Sequence, residues 1–164
     1  MDALGVDIGG VIIGRVNDNT DTSFFDENYL ATTAVPGVFE ALARLVGEKF
    51  GDRVYLVSKC GQRVQNKSLD WLAHHNFYER TSISPDHVRF CRERSDKAAI
   101  ADELRLTHFV DDRLEVLGYL ERVDNRYLFQ PRENEVQKYH RYLHRVQVVQ
   151  SWIEVTAAIL GQAA

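Results

Sequence analysis

The run Ala3-Leu4-Gly5-Val6 ends in Asp7 and is followed at once by Ile8-Gly9-Gly10-Val11. A short aliphatic stretch stopped by a carboxylate and two glycines reads as a buried strand that delivers an acid to its C-terminal end. In open α/β sheets ligands bind at that edge. This one segment therefore constrains both the fold and the place where chemistry belongs. Later runs repeat the pattern: Val54-Tyr55-Leu56-Val57 delivers Ser58, and His108-Phe109-Val110 delivers Asp111 and Asp112. Val88-Arg89-Phe90-Cys91 and Tyr127-Leu128-Phe129 are further strands, the second stopped by Pro131, and Val146 to Val149 reads as an edge strand.

Helical signals alternate with these strands. Val35-Pro36-Gly37 opens the first helix, Val38, Leu42, Leu45 and Val46 recur at helical spacing, and Gly51 ends it. Residues 64–76, 95–104 and 113–122 give three more, and Ser151-x-x-Glu154 reads as the capping box of a last helix reaching Leu160. The alternation implies an α/β fold with a mainly parallel sheet, and 164 residues suit one domain over 1–164. Residues 14–34 are polar at the start and then carry Phe24, Phe25 and Tyr29. A connection this long inside a compact domain predicts a flap over the site, packed down by its aromatics.

Composition removes some functions. A net charge of −4 gives no electrostatic footprint for nucleic acid, and the local group Arg89, Arg92, Arg94 and Lys97 is interleaved with acids, as on a solvated helix face. No apolar run approaches the roughly 20 residues that span a bilayer, and no basic stretch precedes an apolar leader. Cys60 and Cys91 lack metal-type spacing, and reduced thiols in a cytoplasmic protein are the expectation. Cys60 reads as a small apolar filler beside the site, and Trp71 and Trp152 as core. His140 and His144 are four apart with no third ligand, which favours surface histidines over a metal pair. His74 and His75 close a helix, where its dipole favours them.

Three strand ends thus offer Asp7, Ser58 and the Asp111–Asp112 pair, and a helix start offers Lys97. A carboxylate can attack phosphorus, splitting hydrolysis into formation and breakdown of an aspartyl-phosphate. Magnesium takes hard oxygen ligands, and carboxylates gathered at one strand end repel one another until a cation joins them. A hydroxyl and an ammonium can hold phosphoryl oxygens, and Gly9 and Gly10 let the backbone approach a ligand closely.

These pieces, in this order, resemble the haloacid dehalogenase (HAD) superfamily. Asp7-Ile8-Gly9-Gly10-Val11 is similar to its first motif and the strand ending at Ser58 to its second. Lys97 is similar to the third and His108-Phe109-Val110-Asp111-Asp112 to the fourth, while Pro36-Gly37-Val38 is also common there. The resemblance runs from residue 3 to about 130. It implies a three-layer Rossmann-like fold in which residues 14–34 form a minimal cap. It also implies a magnesium-dependent phosphohydrolase acting on a phosphorylated small molecule. Asp7 would be the nucleophile, and Ser58, Lys97 and the Gly10 backbone would bind phosphate. Asp7, the Gly9 carbonyl, Asp111 and Asp112 would hold the metal. The departure is Gly9, where phosphatases of this family usually carry an Asp that protonates the leaving group and then activates water. Asp18, Asp21, Asp26 or Glu27 of the flap are candidate replacements. The alternative is a catalytically weak module that binds a phosphorylated ligand or a protein partner. The insert before the first helix has no lysine, which separates the chain from phosphonate-cleaving members.

Overall fold

The computed structural model describes residues 1–15 and 28–162. The acids Asp18, Asp21, Asp26 and Glu27 and the aromatics Phe24 and Phe25 of the expected flap lie outside the described residues.

In chain order the elements are β1 (Leu4–Val6), α1 (Val38–Leu45), β2 (Val54–Lys59), α2 (Gln62–His74), α3 (Phe77–Thr81) and β3 (Val88–Cys91). Then come α4 (Asp96–Leu104), β4 (His108–Asp111), α5 (Leu114–Tyr119), β5 (Asn125–Phe129), α6 (Glu133–Lys138), β6 (Gln147–Val149) and α7 (Trp152–Leu160). The strands form one sheet in the order β3-β2-β1-β4-β5-β6, and every pairing is parallel. Parallel strands need crossovers, so helices cover both faces and the strands read as continuous apolar runs. One core packs Leu42, Trp71, Phe77 and Trp152 against the sheet, and a second packs Ala101, Leu114, Leu117 and Val123. This is the three-layer doubly wound arrangement expected from the sequence. β1 sits in the middle, and the direction of winding reverses between β1 and β4, where such sheets open a crevice at their C-terminal edge.

Several local expectations shift. α2 runs Gln62–His74 rather than 64–76, and α5 stops at Tyr119 although residues 113–122 were expected to be helical. The cause is Arg126 on β5, whose buried guanidinium donates to the carbonyls of Val123, Leu117 and Glu121 at 2.7, 3.0 and 3.2 Å. Those hydrogen bonds turn the chain where it leaves the helix. The last helix starts as predicted, with the Ser151 hydroxyl accepting from the Glu154 N–H at 3.1 Å. Glu154 accepts in return from the N–H of Gln150, one residue before the expected cap. His140 and His144 lie on a 3₁₀ stretch, His140–Arg145, so their spacing of four does not stack them on one face. Arg89, Arg92, Arg94 and Lys97 share no helix face either: Arg89 is in β3 and Lys97 is buried in α4. No helix among the described residues is long and apolar enough to cross a membrane.

Candidate functional site

Register brings the chemistry together. Val6 of β1 pairs with Val110 of β4 and with Leu56 of β2, so the residues that follow each strand emerge side by side. Asp7 is held there by its N–H, which donates to the Val110 carbonyl at 3.0 Å. Lys97, one residue inside α4, comes down from the layer above. Gly5 makes room for this packing, because a Cβ at that position would stand 2.6 Å from the Leu106 and Phe109 side chains. The Phe109 ring lies across β1, with Lys97 Nζ 5.8 Å from its centroid.

The ammonium ends between two buried carboxylates, with Lys97 Nζ donating to Asp7 Oδ1 at 3.1 Å and to Asp111 Oδ2 at 2.8 Å. Asp111 Oδ1 accepts from the N–H of Arg113 at 2.9 Å, so both its oxygens are fixed. Asp7 Oδ2 has no hydrogen-bond partner among the described residues, and Asp7 lines the cleft above. Asp112 is ion-paired with Arg15, which also donates to the carbonyl of Gln130 at 3.4 Å. One oxygen from each of Asp7, Asp111 and Asp112 lies within 4.8 Å of the others.

This cluster is short of positive charge. Burial pushes the Asp7 carboxyl well above the usual carboxylate range, and the charge of Asp111 adds to that against the opposing pull of Lys97. Asp111 is raised for the same first reason, burial. Burial alone lowers the affinity of Lys97 for its proton, but Asp111 and Asp7 outweigh it, so the lysine is locked in its charged form. Three carboxylates confront one buried ammonium and one rim guanidinium, and an oxygen of each lies within 4.8 Å of the others, so a small inward shift would bring them to the about 3–4 Å that separates ligand oxygens around an octahedral magnesium ion. The donor set is all hard oxygen. It fits a divalent cation of that kind.

The turn after Asp7 explains the glycine pair. Gly10 has φ +80°, and a Cβ there would stand 2.6 Å from Asp112 Oδ2 and 3.0 Å from Arg15 Nε. Only glycine lets the Arg15–Asp112 pair lie over this turn. Gly9 differs: a Cβ there would meet nothing within 4 Å. Its carbonyl accepts no hydrogen bond among the described residues, because the neighbouring turn is closed by Gly10 N–H to the Ile13 carbonyl and Ile13 N–H to the Ile8 carbonyl.

Above the turn lies a cleft of about 270 Å³ whose lining includes Asp7, Gly9, Gly10, Ser58, Cys60 and Asp112. A smaller hollow beside it adds Lys97, Asp111 and Arg94. The residues assigned from the sequence to phosphate and metal are thus gathered at one edge: Asp7, Gly9, Gly10, Ser58, Lys97, Asp111 and Asp112. Cys60 is buried beside them, and burial raises its thiol further from ionisation, which suits a filler rather than a nucleophile. The sequence reading missed Arg15, Lys59, Arg113, Arg132, Asn134 and Glu135, which also line the cleft. For Lys59 the position after Ser58 was a usable signal. His75 does more than face a helix dipole: its ring stacks on Trp71 and Nε2 meets the Leu30 carbonyl at 2.8 Å. With Trp71 Nε1 donating to the Thr32 carbonyl at 2.9 Å, it fixes residues 30–32 on α2.

No model of a known protein family matches this sequence, and a search of curated proteins finds no relative. Solved structures do share its fold. A HAD family hydrolase from Deinococcus radiodurans R1, determined with bound phosphate and sodium, matches at a TM-score of 0.64 and 13% identity, covering 98% of this chain and 95% of that one. A haloacid dehalogenase-like protein of unknown function from Agrobacterium tumefaciens C58 matches at 0.63 and 11% identity, with 98% of each chain covered. A putative haloacid dehalogenase-like hydrolase from Burkholderia xenovorans LB400 matches at 0.55 and 14% identity, over 88% of this chain and 65% of that one. The fold is that of haloacid dehalogenase-like proteins.

Proposed function

We propose that this chain, sharing the fold of HAD-type hydrolases, is a magnesium-dependent phosphohydrolase that works through an aspartyl-phosphate on Asp7. The observation that carries the reading is Asp7 Oδ2, without a hydrogen-bond partner among the described residues and lining a cleft, on a carboxylate whose other oxygen is fixed on Lys97. Asp7, Asp111, Asp112 and the Gly9 carbonyl would hold the metal. When bound, the cation offsets the repulsion between an anionic nucleophile and an anionic phosphoryl group.

Asp7 Oδ2 attacks phosphorus, forming a P–O bond while the bond to the leaving oxygen breaks and that group departs with its electron pair. Water then attacks the same phosphorus, releasing the carboxylate and inorganic phosphate. Lys97 keeps Asp7 oriented and carries positive charge toward the phosphoryl oxygens, and Ser58 donates to them from the neighbouring strand end. Gly10 lets its own backbone come close to the same group.

Gly9 shapes the substrate. Besides Asp7 and Asp112, the described cleft offers only Glu135 as a carboxylate, and Glu135 faces Arg113 at 3.8 Å and accepts from the Glu115 N–H at 3.3 Å. No described side chain stands ready to protonate a leaving oxygen. The site therefore favours phosphates whose leaving group departs unprotonated, such as acyl phosphates or sugar 1-phosphates. The same observation supports the second reading, a module that binds a phosphorylated ligand and turns it over slowly.

The test is phosphate release across a panel of acyl, aryl and alkyl phosphates, with and without magnesium. Asp7→Asn should abolish release, and chelation should have a similar effect. Unchanged turnover in either condition rules out the mechanism. Magnesium affinity by calorimetry, measured on the same samples, separates the hydrolase from a fold that binds no metal.

A further inference from the structure

The cations of the cleft are divided between committed and uncommitted ones. Lys97 is spent on Asp7 and Asp111, Arg15 on Asp112, and Arg113 faces Glu135. The side chains of Lys59 and Arg132 line the same cleft, are exposed, and make no hydrogen bond or ion pair among the described residues. This does not reflect the bulk charge of the protein, which is −4. A chain with excess acid nonetheless places two cations without a partner among the described residues in this cleft, where low-dielectric walls strengthen their pull on an anion.

Their places in the sheet set a distance. Lys59 ends β2, next to Ser58, while Arg132 follows β5 and precedes α6. β1 and β4 lie between β2 and β5, so the backbones of those two strands are about 14 Å apart at an inter-strand spacing of about 4.8 Å. A phosphoryl group at Asp7, which follows β1, would sit one strand from Lys59 and two strands from β5. Lys59 then adds charge at the phosphoryl end. Arg132 enters the cleft from the opposite side, beyond β4, and is the cation left for another part of the ligand. The cleft volume of about 270 Å³ suits a small molecule rather than a polymer segment.

We infer that the substrate is a small phosphate ester or anhydride carrying a second anionic group, carboxylate or phosphate, at its far end, and that Arg132 is the residue that holds it. This rests on the phosphate-site reading above. The guanidinium offers a planar, bidentate match to either group, so the residue alone does not choose between them.

The experiment uses non-hydrolysable probes on the wild-type protein with excess magnesium. Hexylphosphonate, 6-phosphonohexanoate and hexane-1,6-diphosphonate each carry a six-carbon chain and differ at its far end. Calorimetry should give at least about ten-fold tighter binding for one or both doubly anionic probes than for hexylphosphonate, and which of them gains identifies the far group. In Arg132→Ala the ratio should fall to near one. In Arg122→Ala, an exposed arginine outside the cleft, it should persist. Equal binding of all three probes, or a ratio that survives Arg132→Ala, overturns the inference while leaving the phosphate site standing. Failure of every probe to bind overturns the phosphate-site reading, and the inference with it.

Discussion

Gly9→Asp is the substitution that most directly probes the chemistry. The position can take the side chain: a Cβ there meets no heavy atom within 4 Å among the described residues, and the backbone is not left-handed. The residue is exposed, so the repulsion that a new carboxyl feels from Asp7 and Asp112 is softened by solvent. A positioned general acid contributes typically 10²–10⁴-fold, which is about 3–5 kcal/mol of barrier. Alkyl phosphates, whose leaving groups need a proton, should gain by about that factor. p-Nitrophenyl phosphate, whose leaving group departs as a stable anion, should gain little. Gly9→Asn fills the same space without a proton to give and should gain nothing on either substrate. Gly10→Asp is the steric contrast: at φ +80°, with Asp112 Oδ2 2.6 Å from the new Cβ, it should lose stability and phosphate affinity together. The assay is steady-state phosphate release on matched alkyl and aryl esters, with folding checked by thermal melting. A folded, magnesium-binding Gly9→Asp protein with unchanged alkyl phosphate turnover would refute the argument that the site lacks only its acid.

Two further outcomes follow from the buried charges. Lys97→Met leaves Asp7 and Asp111 without their shared cation; losing a buried partner costs about 3–5 kcal/mol, or roughly 6–20 °C in melting temperature for a domain of this size, and added magnesium should recover part of it. No loss in the melting scan would mean that the carboxylates do not depend on this ammonium. His108 is held below its ordinary pKa by burial, against the pull of Asp2, with the Phe50 edge, the Tyr127 face and Lys49 around it. Its folded pKa is the lower one, so the unfolded chain binds the extra proton first. Stability should be level above about pH 6.5 and fall as pH drops from there through the folded value. Urea midpoints should follow this slope, and His108→Gln should flatten it; an identical slope in the variant refutes the assignment.

Much of the fold and most of the candidate site were legible in the sequence for one physical reason. Buried parallel strands must be continuous apolar runs, so the residue that stops each run marks the functional edge. Asp7, Ser58 and Asp111 announce themselves this way, and Lys97 follows from the helix start beside them. What escaped lacks that local signature. α3 and α6 span five and six residues, too short to display a period. The early end of α5 is imposed by Arg126, a residue on the next strand. Arg15 meets Asp112 across 97 residues and Arg132 reaches the cleft from the far side of the sheet, and no nearby pattern encodes either.

The central place of β1 has a consequence for how the site comes into being. It is first in the chain among the strands, yet it has a neighbour on each side: β2, some fifty residues later, and β4, about a hundred residues later. Both pairings are long-range, the kind of contact that forms late because the intervening chain must be ordered first. Asp7 therefore waits for Lys97 and Asp111 to be synthesised and docked before it joins the carboxylate cluster proposed as the reaction site. A nascent or locally opened chain carries the first motif without its partners, and magnesium affinity should appear only with β4 in place. Cation binding would then serve as a reporter of completed folding, and Asp7, the earliest residue of the site in the chain, would be the last to acquire its chemistry.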